Sequence, residues 1–258
     1  MTSHRPVAVI TGAASGIGQA CADLLGRRGM ELALLDRVPP ADSEQDGGRA
    51  WFEVDVADAG GVAHAIADVV ARYGRIDTVV TAAGIQRYGT VAETSEATWD
   101  DVFAVNVKGV FLTLRETMPH LRATRGSAVI VSSVQALATQ TNVVAYTASK
   151  GALNAMARAI AVDEAPLGVR VNVVCPGSVD TAMLRASAAL VAGPGGDVDA
   201  VVRRWGSTHP MGRVATPDEV ARVIAFLAGD DAAFVTGEEI RVDGGLVAAL
   251  GVPLGERS

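Results

Sequence analysis

The sequence predicts an α/β fold: one domain with a doubly wound parallel sheet and helices on both faces. Three observations carry this. Short β-branched runs alternate with longer stretches of helical periodicity along nearly all of the 258 residues. Several of the short runs, VAVI at 7–10 and AVIV at 128–131 among them, are apolar at every position, as strands covered on both faces are. Hydrophobic residues make up 49% of the chain and aromatics only 4%, so Ala, Val and Leu must build the core.

In chain order, strands are predicted at 7–11, 31–35, 51–54, 77–80, 128–132, 169–174 and 239–242. The helix at 62–73 follows from an apolar stripe of Val62, Ile66, Val69, Val70 and Tyr73, with Gly74 as its stop. Two long helices are predicted near 96–121 and 145–164. The helix at 217–228 opens with Thr216 as N-cap, Pro217 in the first turn and Glu219 closing a capping box. A helical region from 182 to 205 is interrupted by AGPGGD at 192–197. That segment and PPADSEQDGG at 39–48 read as flexible loops. No internal repeat or linker divides the chain, so residues 1–258 form a single domain.

The totals exclude several functions. A formal net charge of -7 with no long basic run argues against nucleic acid and anionic membrane as partners. Cys21 and Cys175 stand far apart, outside any C-x-x-C pattern, which predicts reduced thiols and no metal site. The opening MTSHRPVAVITG lacks a signal-peptide core, and no apolar run reaches bilayer length. The expectation is a soluble, cytoplasmic protein.

The first strand runs into TGAASGIG, Thr11 to Gly18, and then a helix. Gly12, Gly16 and Gly18 let backbone approach a ligand at the helix N-terminus, where free N–H groups and the helix dipole favour phosphate. A plain strand–helix turn would look similar. Asp36, at the end of the second strand, stands where an acidic residue meets an adenosine ribose. A carboxylate there binds both ribose hydroxyls and repels a 2'-phosphate, predicting NAD over NADP. Ser15 agrees, since a basic residue there would suit NADP, while neighbouring Arg37 could turn toward a phosphate.

Tyr146 and Lys150 lie four residues apart, on one helical face. A free phenol has a pKa of about 10 and is a poor base at neutral pH; an adjacent ammonium favours phenolate and would lower it. In isolation an exposed tyrosine and lysine on an amphipathic helix face is the better explanation of the pair. Ser133 ends the strand AVIVSS, beyond the carboxyl end of which open α/β sheets bind ligands. Asn106, in VNVKG, lies inside a long helical segment.

Together these residues resemble the short-chain dehydrogenase/reductase family, from about Arg5 to Val247. TGAASGIG matches its TGxxxGxG, and Tyr146-Thr147-Ala148-Ser149-Lys150 its catalytic YxxxK. The serine thirteen residues earlier is Ser133, not Ser132, and the asparagine is Asn106. CPGSVDT at 175–181 matches the loop that holds the nicotinamide, and GRVATPDEVARVIAFL and VDGG match the late helix and last strand. One departure stands out: TAAG at 81–84 replaces NNAG or NAAG. The family's first Asn ties the central strand, and Thr81 is expected to offer a hydroxyl in its place, at a modest cost in stability.

The resemblance implies a Rossmann-like fold, a nicotinamide cofactor and a secondary alcohol or ketone as substrate. Ser133 would bind the substrate oxygen and Tyr146 would exchange its proton. Lys150 would lower the phenol pKa and hold the nicotinamide ribose, and Asn106 would support a water relay. Cofactor contacts are implied for Gly12, Ser15, Gly16, Ile17 and Gly18; for Asp36, Arg37, Asp55 and Val56; and for Ala82, Ala83 and Gly84. Tyr146, Lys150, Pro176, Gly177, Val179 and Thr181 complete that set. Gln135 and Gln140 join Ser133 and Tyr146 around the substrate; their polarity, with Asn142, suits a sugar or polyol. Gln86 and Arg87 and a lid at 182–212, hinged at residues 193–196, are further candidates for substrate choice. His209 is taken as structural. The family implies a homotetramer paired through the two long helices. An NADPH-dependent 3-oxoacyl-thioester ketoreductase and a non-catalytic dinucleotide sensor remain open alternatives.

Overall fold

A computed structural model describes residues 5–39 and 48–250. Seven strands form one sheet in the order β3-β2-β1-β4-β5-β6-β7. They are β1 (Val7–Thr11), β2 (Glu31–Asp36), β3 (Arg49–Glu53), β4 (Thr78–Thr81), β5 (Ser127–Val131), β6 (Arg170–Pro176) and β7 (Glu239–Val242). Every pairing is parallel. The order reverses between β1 and β4, so the chain parts there and leaves a crevice at the carboxyl ends of these strands.

Alternate residues of the same strands feed two cores. Val9, Ala33, Leu35, Val79, Ala128 and Ile130 face one side, under α2 (Ala59–Tyr73), α4 (Gly109–Thr124) and α5 (Val144–Glu164). Ala8, Ile10, Leu32, Leu34, Val80 and Val129 face the other, under α1 (Gly16–Arg27) and α8 (Pro217–Ala228). This two-sided burial is why the strands read as continuous apolar runs.

The remaining helices bear on the site. In place of one uninterrupted helix, the segment near 96–121 comprises α3 (Glu96–Phe103), a π-helical stretch (Ala104–Lys108) and α4. The predicted lid is a helical hairpin, α6 (Ala182–Ala192) and α7 (Val198–Gly206), broken at Gly193 and Gly195, both with φ of 74°. Its own small core joins Ala188, Val201 and Val202.

Boundaries moved where tertiary partners outweigh local pattern. Helix α2 begins three residues before the predicted 62, because the Asp58 side chain accepts from the Gly60 amide and caps the start. Strand β3 begins at Arg49, which pairs with Leu32 and bridges to Asp23. Strand β6 runs on to Pro176, held by pairing with Val242 of β7. The capping box of α8 is present as predicted. Of the predicted loop at 39–48, residues 40–47 lie outside the described residues. Among the described residues, no helix is long and apolar enough to cross a membrane, and no cluster of side chains could hold a metal ion.

Candidate active site

A cleft of about 780 Å³ opens at the carboxyl ends of the central strands. The glycine loop forms one wall. Gly12 has φ of +67°, and a Cβ there would sit 2.7 Å from the Ala83 amide nitrogen. A Cβ at Gly18 would sit 2.1 Å from the Gly12 carbonyl. Only glycine lets these backbones meet. Ser15 occupies the N-cap of α1 but makes no side-chain cap bond, which leaves the first-turn amides to a ligand.

Asp36 ends β2 beside this loop. Its carboxylate accepts from the Ala14 amide at 2.9 Å and the Val38 amide at 3.3 Å. Exposed Arg37, together with Asp55 and Val56, continues the same wall, and the Asp55 carboxylate accepts from the Ala57 amide. Ile17, Ala82, Ala83, Gly84, Pro176, Gly177, Val179 and Thr181 also line the cleft. The residues pointing to dinucleotide chemistry therefore share one surface with those pointing to proton transfer.

Ser133, Tyr146 and Lys150 are buried at the other end of the cleft. Successive side chains at the end of β5 point in opposite directions, and this separates the two serines. The Ser132 hydroxyl turns inward and donates to the Lys150 carbonyl. The Ser133 oxygen accepts from the Gln135 amide at 3.1 Å and is hydrogen-bonded to the Tyr146 phenol. Lys150 Nζ donates to the Val131 carbonyl at 2.9 Å and lies 5.5 Å from the centre of the Tyr146 ring.

The electrostatics differ from the sequence expectation. Burial pushes the Tyr146 phenol up to about 12, a push that the Tyr88 phenol adds to and the Ser133 hydrogen bond opposes. Burial also pushes the Lys150 ammonium down to about 8. The lysine was expected to lower the phenol. Instead burial decides the direction, and Lys150 is not among the groups that shift the phenol. A proton leaving this pair leaves the amine first.

Asn106 stands behind the wall of the cleft. It is fully buried but does not line the cleft. Its Nδ2 donates to the Ile85 carbonyl and the Ser149 hydroxyl, and its Oδ1 accepts from the Ile85 amide. With both side-chain protons spent, Asn106 clamps the β4 loop to α5, and its amide has no proton left for a water. The π-helical stretch, a feature common at functional sites, is what carries it there.

Around the reacting end, Gln86, Gln135 and Gln140 line the cleft as expected. Arg87 does not: its guanidinium pairs with Asp101 of α3 at 2.9 Å. Asn142 is exposed and does not line the cleft; its φ is 62° and its main-chain carbonyl accepts from the Gly89 amide. His209 is structural: Nε2 accepts from the Ser178 amide and Nδ1 faces the Trp205 carbonyl, tying the loop after β6 to the end of the lid. Thr81 Oγ1 is buried without a hydrogen-bond partner among the described residues, so the expected tie is absent. A threonine hydroxyl is too short to replace the reach of an Asn amide.

Sequence reasoning missed Tyr88, Leu246, Val247 and Ala249, which also line the cleft. The last three arrive because Asp243 accepts from the Gly245 and Val247 amides and turns the chain back. The signal was present in DGG, an acceptor followed by two residues free to turn.

Comparison with known proteins agrees with this geometry. Residues 12–247 match a family model described as enoyl-(acyl carrier protein) reductase. The chain is 36% identical over 258 residues to the meso-2,3-butanediol dehydrogenase of Serratia marcescens, covering 98% of this chain and 99% of that one. It is 39% identical over 250 residues to the cis-4-hydroxycyclohexanecarboxylate dehydrogenase of Sinomonas cyclohexanicum, covering 94% and 96%. The ligand-free aldohexose dehydrogenase of Thermoplasma acidophilum superposes with a TM-score of 0.92 at 34% identity, covering 98% of each chain. A nucleotide cradle and a buried serine–tyrosine–lysine set in one cleft thus meet full-length likeness to named dehydrogenases, and the chain belongs to the short-chain dehydrogenase/reductase family of nicotinamide-dependent oxidoreductases.

Proposed function

We propose that this protein is an NAD-linked dehydrogenase of secondary alcohols, including diols and other hydroxylated substrates, working reversibly on the matching ketones. The observation that carries this is one cleft joining Asp36 and the glycine loop to Ser133, Tyr146 and Lys150. The cofactor site fits its ligand: the close backbone approaches at Gly12 and Gly18 and the uncapped start of α1 make a cradle for a pyrophosphate. The Asp36 carboxylate favours an unmodified ribose over a 2'-phosphate.

When bound, the nicotinamide supplies the hydride acceptor or donor. The protein's own residues handle the oxygen. Ser133, whose oxygen accepts from the Gln135 amide and whose hydroxyl faces the Tyr146 phenol, is placed to hydrogen-bond the substrate oxygen between them. Tyr146 takes the hydroxyl proton in oxidation and returns it in reduction. Lys150, four residues along α5, holds positive charge beside the phenol and would hold the nicotinamide ribose. Asn106 and Ser149 fix the loop after β4 against α5 and so position Tyr146. Gln135 and Gln140 line the substrate end. The named relatives act on a diol, a hydroxy acid and a sugar, which supports a polar alcohol here.

A cytoplasmic homotetramer is part of the same reading. Ala157 and Ala161 of α5 face the protein's own sheet, while Ala155 and Ala159 are exposed on its other side. Phe111 of α4 and Val162 of α5 are exposed apolar side chains that a neighbour could cover. Light scattering on the purified protein tests the assembly. A panel of alcohols, diols and sugars, run with NAD and with NADP, tests the function. NADH formation from secondary alcohols is expected. Turnover confined to 3-oxoacyl thioesters with NADPH would overturn the proposal.

A further inference from the structure

We infer that Gln135 selects substrates carrying a second, accepting oxygen beside the reacting carbon, and that Thr147 and Thr139 set its amide for that task. The inference rests on the alcohol/ketone reading above and sharpens its substrate class to α-hydroxyketones, vicinal diols and diketones.

The argument is a count of protons. Gln135 follows Ser133 by two residues, in a single 3₁₀ turn after β5, and its half-buried side chain lines the cleft. Its Oε1 accepts from the Thr147 hydroxyl at 3.4 Å. The Thr147 and Thr139 hydroxyls lie 2.6 Å apart. Each hydroxyl has one proton. If Thr147 gives its proton to Gln135, it must receive one from Thr139. The chain then runs from Thr139 through Thr147 to Oε1. The Thr139 proton can instead go to the Gln140 carbonyl at 3.1 Å, with Thr147 then donating to Thr139 and the Gln135 amide turned; the dione test below separates the two orders.

The order that runs from Thr139 through Thr147 to Oε1 sets the amide. Oε1 is engaged by the helix, so the NH2 group is the end left over, and neither of its protons has a partner among the described residues. A half-buried amide with unspent donors wants an acceptor. The Ser133 hydroxyl already addresses one substrate oxygen. The Gln135 donors, anchored on the same turn, address another close to it. Thr147 is adjacent in sequence to Tyr146, so the helix that carries the phenol also orients the selecting amide. Thr147 and Thr139 act through Gln135 and are positioning residues.

The test compares butane-2,3-dione with butan-2-one, reduced with NADH. The second oxygen of the dione can only accept. The diketone is intrinsically more reactive, so the informative quantity is the ratio of kcat/KM for the two ketones, compared between proteins. Taking the ratio within each protein also cancels differences in the folded fraction. In Gln135→Leu the ratio should fall roughly 3- to 10-fold, the worth of one hydrogen bond. In Gln135→Glu it should fall at least as far, because a carboxylate has no proton to give at pH 7. In Thr147→Val it should fall through a raised KM for the dione. The double variant Gln135→Leu/Thr147→Val should be no worse than Gln135→Leu alone, since Thr147 acts only through Gln135. A ratio unchanged or raised in Gln135→Leu would overturn the inference, and so would full additivity in the double variant. Failure of the unaltered protein to reduce either ketone would sink the alcohol/ketone reading and this inference with it.

Discussion

Replacing Lys150 with Met should stabilise the cofactor-free protein while removing its activity. Lys150 is 4% exposed, and its pKa falls from the ordinary 10.5 to about 8. At 1.36 kcal/mol per pH unit, holding the ammonium in that setting at pH 7 costs about 3 kcal/mol. Met fills the space of the methylene stem without the charge. The substitution leaves the Val131 carbonyl without its partner, which returns about 1–2 kcal/mol. The net gain is about 1–2 kcal/mol, or about 2–8 °C in Tm for a chain of this size. The sign with pH separates this cause from ordinary packing. Between about pH 8 and 10.5 the native lysine is neutral while the unfolded one still holds its proton. The unfolded state then binds more protons, and the stability of the unaltered protein rises with pH. The penalty at pH 9.5 is about 1 kcal/mol by the same conversion, so the advantage of Lys150→Met should nearly vanish there. Thermal unfolding followed by tryptophan fluorescence at pH 7 and pH 9.5 measures both points. A variant less stable than the unaltered protein at pH 7, or an advantage that does not change with pH, would refute the reasoning.

Other outcomes follow from the same geometry. Tyr146→Phe should lower kcat by roughly 10²–10⁴-fold, the usual worth of a positioned acid/base, while calorimetry finds NAD affinity changed only slightly. Thr81→Val removes a buried hydroxyl without a partner and keeps the β-branched shape, so the urea midpoint should rise by the equivalent of about 1–2 kcal/mol with an unchanged slope; a fall would mean the hydroxyl has a use in the fold. Asp36→Ala should shift the ratio of NADP to NAD affinity toward NADP by roughly 10-fold or more, the scale of one removed charge repulsion at a partly buried site, as read by fluorescence titration with both cofactors. Because Tyr146 holds its proton up to about 12 in the ligand-free site, alcohol oxidation should accelerate as pH rises, while ketone reduction, which uses the protonated phenol, should stay level well past pH 8. Identical pH profiles in the two directions would exclude Tyr146 as the proton carrier.

The sequence carried most of the architecture because strand and helix patterns here are local. The run VAVI is apolar throughout, and the structure buries it on both faces. The distinction between Ser132 and Ser133 was legible only through the spacing to Tyr146, yet the two-residue period of a strand supplies its physical reason. What was not legible depends on contacts far apart in the chain. Arg87 follows TAAG closely enough to suggest the cleft, but Asp101 draws it away. Leu246 and Val247 reach the cleft only because Asp243 turns the chain. Solvation was hidden most completely. The four-residue spacing of Tyr146 and Lys150 places them together, but the sign of their pKa shifts depends on how much protein surrounds them.

Those shifts bear on how the site works. A phenol that keeps its proton to about 12 is ready to give one to a developing alkoxide and poorly disposed to take one from an alcohol. A protonated phenol suits the reductive direction. Oxidation favours phenolate, and an oxidised nicotinamide, when bound, would supply positive charge in this cleft. The protein thus need not hold a reactive phenolate between turnovers, which would be costly in a buried site. It keeps both groups in their protonated forms at neutral pH and lets cofactor binding change the balance. The same burial that makes the pair expensive is what gives an arriving charge its leverage, since electrostatic effects strengthen as water is excluded.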